Sequence, residues 1–186
     1  MPVSSDLEAL LAQCLRREPA AQRALYARYA GRMLGVARRY AYTLPEAEDI
    51  LQDAFVKVFI RLGEFRSEGS LEGWIRRIVV TTAINHWQSG KLRRQSQVEF
   101  PDTQDFVPAV SASALDQLNV REVLSLIEQL PEGCKVVLLL YAVDGYSHSE
   151  ISELLGIKES TSKAQLSKAR KQLLHLYQQQ NNYIRL

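Results

Sequence analysis

Cysteine is scarce in this chain of 186 residues. Cys14 and Cys134 stand far apart and fall in no CxxC or Cys/His ligand spacing. A disulfide-stapled scaffold is thereby excluded, and two reduced structural thiols in a cytosolic protein are the expected reading. The three histidines, His86, His148 and His175, are equally scattered, so no metal site and no cofactor is expected. No apolar run approaches the roughly 20 residues that cross a bilayer, and the first residues lack the pattern of a secretory signal, which places the protein in the cytoplasm. A net charge of +2 is too small to announce a polyanionic partner by itself. No nucleophile, base and glycine cradle cluster together, so catalytic residues are expected to be none.

What is abundant is Leu, Ala, Arg, Glu and Gln, all good helix formers, in a chain that is 46% hydrophobic. Few runs alternate as strands do, so the fold class expected is all-α. A short amphipathic helix over 6–17 carries Leu7, Leu10, Leu11 and Cys14 on one side. Pro19 ends it and can open a second helix, to about Tyr42, with Tyr29, Met33, Val36 and Tyr40 on one face. Pro45 starts a third helix to about Leu62, with Leu51, Ala54, Phe55, Val58 and Leu62 inward and Glu46, Asp49, Gln52, Asp53 and Lys57 outward. A Gly/Ser-rich loop, Phe65 to Gly73, precedes a fourth helix from Trp74 to about Trp87. Ile75, Ile78, Val79 and Thr82 pack there, and Arg77, Thr81, Asn85 and Gln88 share another face. The acidic face and this basic, amide-bearing face are expected on opposite surfaces of one small bundle. Asp49 and Asp53, one turn apart, read either as a solvated face or as a docking surface for a basic partner.

Charge is distributed unevenly. From Glu99 to Glu132 seven acids meet a single base, Arg121, whereas Lys158 to Lys171 holds five bases and one acid. The stretch 95–114 has two prolines, small polar residues and no sustained period, as expected of a flexible linker. Helical pattern resumes at Leu115 with Leu118, Val123, Leu126, Ile127 and Leu130. Pro131 then opens a helix through the apolar run KVVLLLYAV, expected to form a second core. The organisation read from the sequence is thus two small helical domains, 1–94 and 115–186, on a tether.

The most informative stretch is Tyr146 to Leu174. Ser147 and Glu150 have the spacing of a capping box, and Gly156 ends the helix they start. A second helix begins near Ser160. Leu166, Ala169, Leu173, Leu176 and Tyr177 form its apolar stripe; Lys163, Ala164, Ser167, Lys168, Arg170 and Lys171 lie opposite. A short helix, a glycine turn and a helix with a cationic, small-residue face describe a helix-turn-helix able to enter a major groove, or else a helical hairpin with a solvated basic face. Phe65, Trp74, Trp87, Asn85, Arg76, Arg77 and the Lys91–Arg94 tail mix aromatics, amides and cations. Such a mixture suits single-stranded nucleic acid, although core packing accounts for Trp74 equally well.

Taken together, AEDILQDAFVKVFIRL with FRSEGSLEGWIRRIVVTTAIN resembles region 2 of a bacterial sigma factor of the extracytoplasmic-function group. LPEGCKVVLLLYAVDGYSHSEISELLGIKESTSKAQLSKARKQL resembles region 4 of the same group. The likeness spans roughly residues 7–176, in the expected order. It implies a region 2 domain and a region 4 helix-turn-helix domain, which bind core RNA polymerase through its β′ and β subunits and recognise promoter DNA. It further implies that Asp49, Gln52, Asp53 and Phe55 dock on the β′ clamp helices. Phe65, Arg66 and the loop from Ser67 would capture a flipped base of the −10 element, and Arg77, Thr81 and Asn85 would follow the non-template strand. Ser160, Thr161, Lys163, Ala164, Ser167 and Lys168 would serve the −35 element, with Arg170 near a phosphate. Thr81, where many relatives carry Asn, and Gln165, where many carry Arg, depart from the pattern and bear on promoter preference. An anti-sigma partner is common in the group. A helix-turn-helix regulator that binds duplex operators unaided is the alternative.

Overall fold

The computed structural model describes residues 5–66, 68–93 and 120–184. Its described residues form helices and connecting turns, without strands. They fall into two compact units, Met1–Gln95 and Ser96–Leu186. The linker expected over 95–114 lies outside the described residues, as does Ser67.

The first unit contains α1 (Ser5–Leu15), α2 (Pro19–Ala37), α3 (Leu44–Arg61), a single 3-10 turn (Leu62–Glu64) and α4 (Leu71–Arg93). Pro19 sits in the first turn of α2, where a missing N–H costs nothing. Thr43 caps α3 by accepting the Glu46 N–H at 3.3 Å, and the Glu46 carboxylate accepts the Tyr42 N–H at 2.8 Å. Helices α2, α3 and α4 pack pairwise around Leu25, Met33, Ile50, Val58, Ile75, Val79, Val80 and Ile84, all fully buried. Each such aliphatic side chain contributes about 1.5–3 kcal/mol over an exposed one. Helix α4 starts three residues earlier than its pattern suggests and runs six residues further. At its start the Ser70 hydroxyl accepts the Gly73 N–H at 3.0 Å.

The second unit comprises α5 (Val120–Glu128), α6 (Glu132–Leu138), a π turn (Leu139–Val143), α7 (His148–Leu155) and α8 (Glu159–Ile184). The expected helix through Val143 therefore ends in a wider coil. Asp144 N–H reaches the Leu139 carbonyl at 3.0 Å, five residues back, so Leu139 and Leu140 stay buried while Tyr141 and Val143 turn outward. Gly145, at φ 76°, releases the chain toward α7. Ser147 and Glu150 make the full capping box, and Gly156 takes the left-handed conformation at φ 66°. Helix α8 packs on α5, α6 and α7, burying Leu166, Ala169 and Leu173. A buried polar bond crosses this core: the Cys134 thiol donates to Gln165 Oε1 at 2.9 Å, and burial pushes the thiol pKa up. The Cys14 thiol is also pushed up, first by burial and then by Glu18, so both cysteines sit as protonated packing groups.

Candidate nucleic-acid interface

Helix α3 has two ridges of interest, each at four-residue spacing. Asp49, Asp53, Lys57 and Arg61 form the first, and Gln52, Val56 and Ile60 the second. Asp49, Gln52 and Asp53 are exposed. Val56 and Ile60 are too, at 58% and 77%, which is unusual for β-branched apolar residues on a helix. Phe55 differs. It is only 2% exposed and packs edge-on against Tyr26 at 4.7 Å, so it supports the helix from within the core and offers no side chain to a partner. Its inward stripe position outweighs the docking role that the resemblance implies.

The acidic and basic faces are not on opposite surfaces of the bundle. His86 Nε2 of α4 lies 2.7 Å from Asp53 Oδ2, and Lys57 Nζ donates to the Thr82 hydroxyl at 3.1 Å. Both α3 residues border α4. Beside them Lys57, Arg61, Trp74, Arg77, Ile78, Thr81, Thr82 and Asn85 line a groove of about 420 Å³ with no carboxylate among its lining residues. Thr81 is half-buried and its hydroxyl donates back to the Arg77 carbonyl at 2.8 Å.

A second hollow of about 460 Å³ opens over the loop, lined by Phe65, Trp74, Gly69, Ser70 and Gly73, with two cations, Arg66 and Arg77, and two carboxylates, Glu64 and Glu68. Phe65 and Trp74 are both half-buried, with ring centroids 5.7 Å apart. Trp74 is thus neither wholly core nor wholly surface. The two hollows share Trp74 and Arg77, so an aromatic wall and a cation connect them.

On α8 the exposed or half-exposed stripe comprises Ser160, Lys163, Ala164, Ser167, Lys168 and Lys171, with Arg170 exposed beside it. Thr161 (6% exposed) is turned into the core beside Ser162 and cannot touch DNA as the resemblance implies. Gln165 (4%) is likewise committed to Cys134, so this departure from the family pattern alters the core and leaves the outward face unchanged. Lys163 pairs with Glu159 at 2.7 Å, which holds that carboxylate below its ordinary range. Arg170 lies over the Tyr141 ring at 5.9 Å, His148 stacks on the same ring at 4.6 Å, and His148 Nδ1 meets the Ser162 hydroxyl at 2.9 Å.

Comparison with known proteins bears on what these surfaces serve. The family model for sigma-70 region 2 matches residues 25–93, and that for sigma-70 region 4 matches residues 120–173. Together they span more than half of the chain. The chain belongs to the sigma-70 family, in its extracytoplasmic-function group. The RNA polymerase sigma-H factor of Pseudomonas aeruginosa is 28% identical over 156 residues, covering 78% of this chain and 80% of that protein. The extracytoplasmic-function RNA polymerase sigma-E factor of Escherichia coli K12 is 28% identical over 158 residues, covering 78% and 81%. Among solved structures, a sigma factor from Bartonella quintana in complex with an anti-sigma factor shares the fold at TM-score 0.53. It is 19% identical, over 84% of this chain and 96% of that one. As a sigma factor, the protein binds core RNA polymerase and directs promoter recognition and transcription initiation. No helix among the described residues is long and apolar enough to cross a membrane.

The sigma factor's His148 carries a pH signature. Desolvation first and then Lys163 lower its pKa; Glu159 pulls the other way, and Arg170 adds the smallest lowering. Below the ordinary histidine range the unfolded chain binds a proton that the folded one resists, so stability of the second unit falls as pH drops through that window. Thermal unfolding followed at about pH 8 and about pH 5.5 should show this loss, and His148→Gln should lessen it. An identical pH response in the variant would assign the effect elsewhere.

Proposed function

We propose that the sigma factor divides its task between its two units. Asp49, Gln52 and Asp53 dock on the β′ clamp helices of core polymerase, with Val56 and Ile60 continuing that outward face. The loop hollow takes an extruded base of the −10 element between Phe65, Arg66 and Trp74, and Arg77, Thr81 and Asn85 follow the non-template strand. Ser160, Lys163, Ala164, Ser167 and Lys168 face the −35 element, Arg170 a phosphate, while the second unit also engages the β subunit. The reading rests above all on the paired hollows sharing Trp74 and Arg77. They give an aromatic surface for a base in a loop hollow of mixed charge, and a groove without carboxylates along α4 for its backbone. Opening is then differential binding, in which a captured base offsets an unstacking cost of a few kcal/mol. The chain supplies recognition, and polymerase supplies the chemistry, in the cytoplasm. An anti-sigma factor is a further expected partner, since a solved relative is complexed with one.

Reconstitution with core polymerase tests the reading. Run-off transcription should require both proteins and a promoter with both elements, while the chain alone should not retard duplex DNA. Phe65→Ala should lower open-complex formation by the worth of one stacked base, about 1–3 kcal/mol. Tight binding of duplex by the free chain would favour an ordinary helix-turn-helix regulator, and normal opening by Phe65→Ala would remove the loop from the −10 contact.

A further inference from the structure

One carboxylate of the proposed docking face is held from a different helix. Asp53 Oδ2 lies 2.7 Å from His86 Nε2 of α4. An ionised carboxylate only accepts hydrogen bonds, so Nε2 carries the hydrogen in this one. The backbone on both sides of the bond is fixed. On α4 the nearby Ala83, Ile84 and Trp87 are buried, and on α3 so are Ala54 and Phe55, the two residues after Asp53. One turn along, the Lys57 ammonium donates to the Thr82 hydroxyl at 3.1 Å. Position 57 is four after 53 and position 82 four before 86, so the two bonds are successive rungs between antiparallel helices.

The rungs differ in where they lie. Lys57 and Thr82 line the groove beside α4, whereas Asp53 and His86 stand outside it. Asp53 is exposed and His86 half-buried, and a pair so placed adds little to the stability of the bundle. What it does is fix a side chain. With Oδ2 tied to α4, the Asp53 carboxylate keeps free acceptor positions, chiefly on Oδ1, and presents them in a set direction.

We propose that His86 is a positioning residue for docking on core polymerase, holding the Asp53 carboxylate in the rotamer that meets a donor of the basic partner. The side-chain freedom that an unanchored Asp53 would lose on docking is then already lost in the free protein. His86 acts through Asp53 and makes no contact of its own with polymerase. The inference rests on the reading that Asp53 docks.

The test measures the affinity of the full chain for core polymerase. The proteins compared are the parent, His86→Leu, His86→Gln, Asp53→Ala and Asp53→Ala combined with His86→Leu. The amide nitrogen of Gln can stand in for Nε2, and Leu offers no donor. Ordering one side chain in advance is worth about two- to tenfold in affinity. His86→Leu should therefore weaken binding by about two- to tenfold, and His86→Gln should restore the parental value. On the Asp53→Ala background His86→Leu should cost nothing more, because no carboxylate remains to be held. Parental or tighter binding by His86→Leu, with a loss in Asp53→Ala, would overturn the inference and leave Asp53 as a docking residue. Parental binding by Asp53→Ala would overturn both. Equal losses in His86→Leu and His86→Gln, or a loss that persists without Asp53, would give His86 a packing role or a direct contact and likewise overturn the inference.

Discussion

Asp53→Arg should cost the protein its attachment to core polymerase and leave the first unit folded. The Asp53 side chain is 57% exposed, and it pairs with His86 at 2.7 Å. An exposed pair of this kind is worth about 0–1 kcal/mol, too little to unfold a bundle with a continuous apolar core. At a docking surface for a basic partner the same residue matters more. Replacing it with Ala removes one attraction, whereas Arg sets like charge against like charge, which costs several kcal/mol. At about 1.4 kcal/mol per decade, the Arg variant should lose on the order of a hundredfold in affinity, and the Ala variant nearer tenfold. Co-purification with core enzyme at unchanged helical content measures both. Full retention of Asp53→Arg would move the docking surface off this ridge.

Within each helix, much of this arrangement was legible from spacing alone. The inward stripe of α3, the capping box at Ser147 and the left-handed Gly156 all follow from local geometry, because side-chain direction and cap chemistry are set within one turn. What helical spacing cannot supply is the neighbour. Asp53 and His86 are 33 residues apart in sequence, and nothing in either segment says that they meet. Lys57 reads as an outward residue until α4 is laid beside it and the Thr82 hydroxyl takes its ammonium at 3.1 Å. Phe55 and Thr161 show a different failure. Roles implied by family likeness attach to positions in a motif, whereas burial decides which side chain reaches the surface, and both residues point inward. The π turn was hidden for a similar reason. KVVLLLYAV is apolar throughout, and only the packed structure separates Leu139 and Leu140 from outward Tyr141 and Val143.

Lys163→Ala should flatten promoter preference at one or two −35 positions, and Lys168→Ala should do so less. The two lysines are five residues apart, hence about 140° apart around α8, since each residue turns the helix by about 100°. Both stand on the outward stripe, and half-buried Ala164 and Ser167 leave the surface between them low. Lys163 stands in the first turns of α8, the part of a recognition helix that meets base edges. Its present partner is Glu159, at 2.7 Å, with both side chains about half exposed or more, so exchanging that carboxylate for a DNA acceptor costs little. If Lys163 contacts a base, its removal costs about 1–3 kcal/mol against the preferred sequence and much less against others. If Lys168 meets only phosphate, its removal weakens every promoter alike and lowers the salt slope by about one unit. Transcription from a set of promoters varied singly at each −35 position separates the two patterns, because −10 opening is common to all of them. An unchanged −35 preference in both variants would mean that α8 grips the duplex without reading it, and the source of −35 specificity would have to be sought in the shape of the DNA.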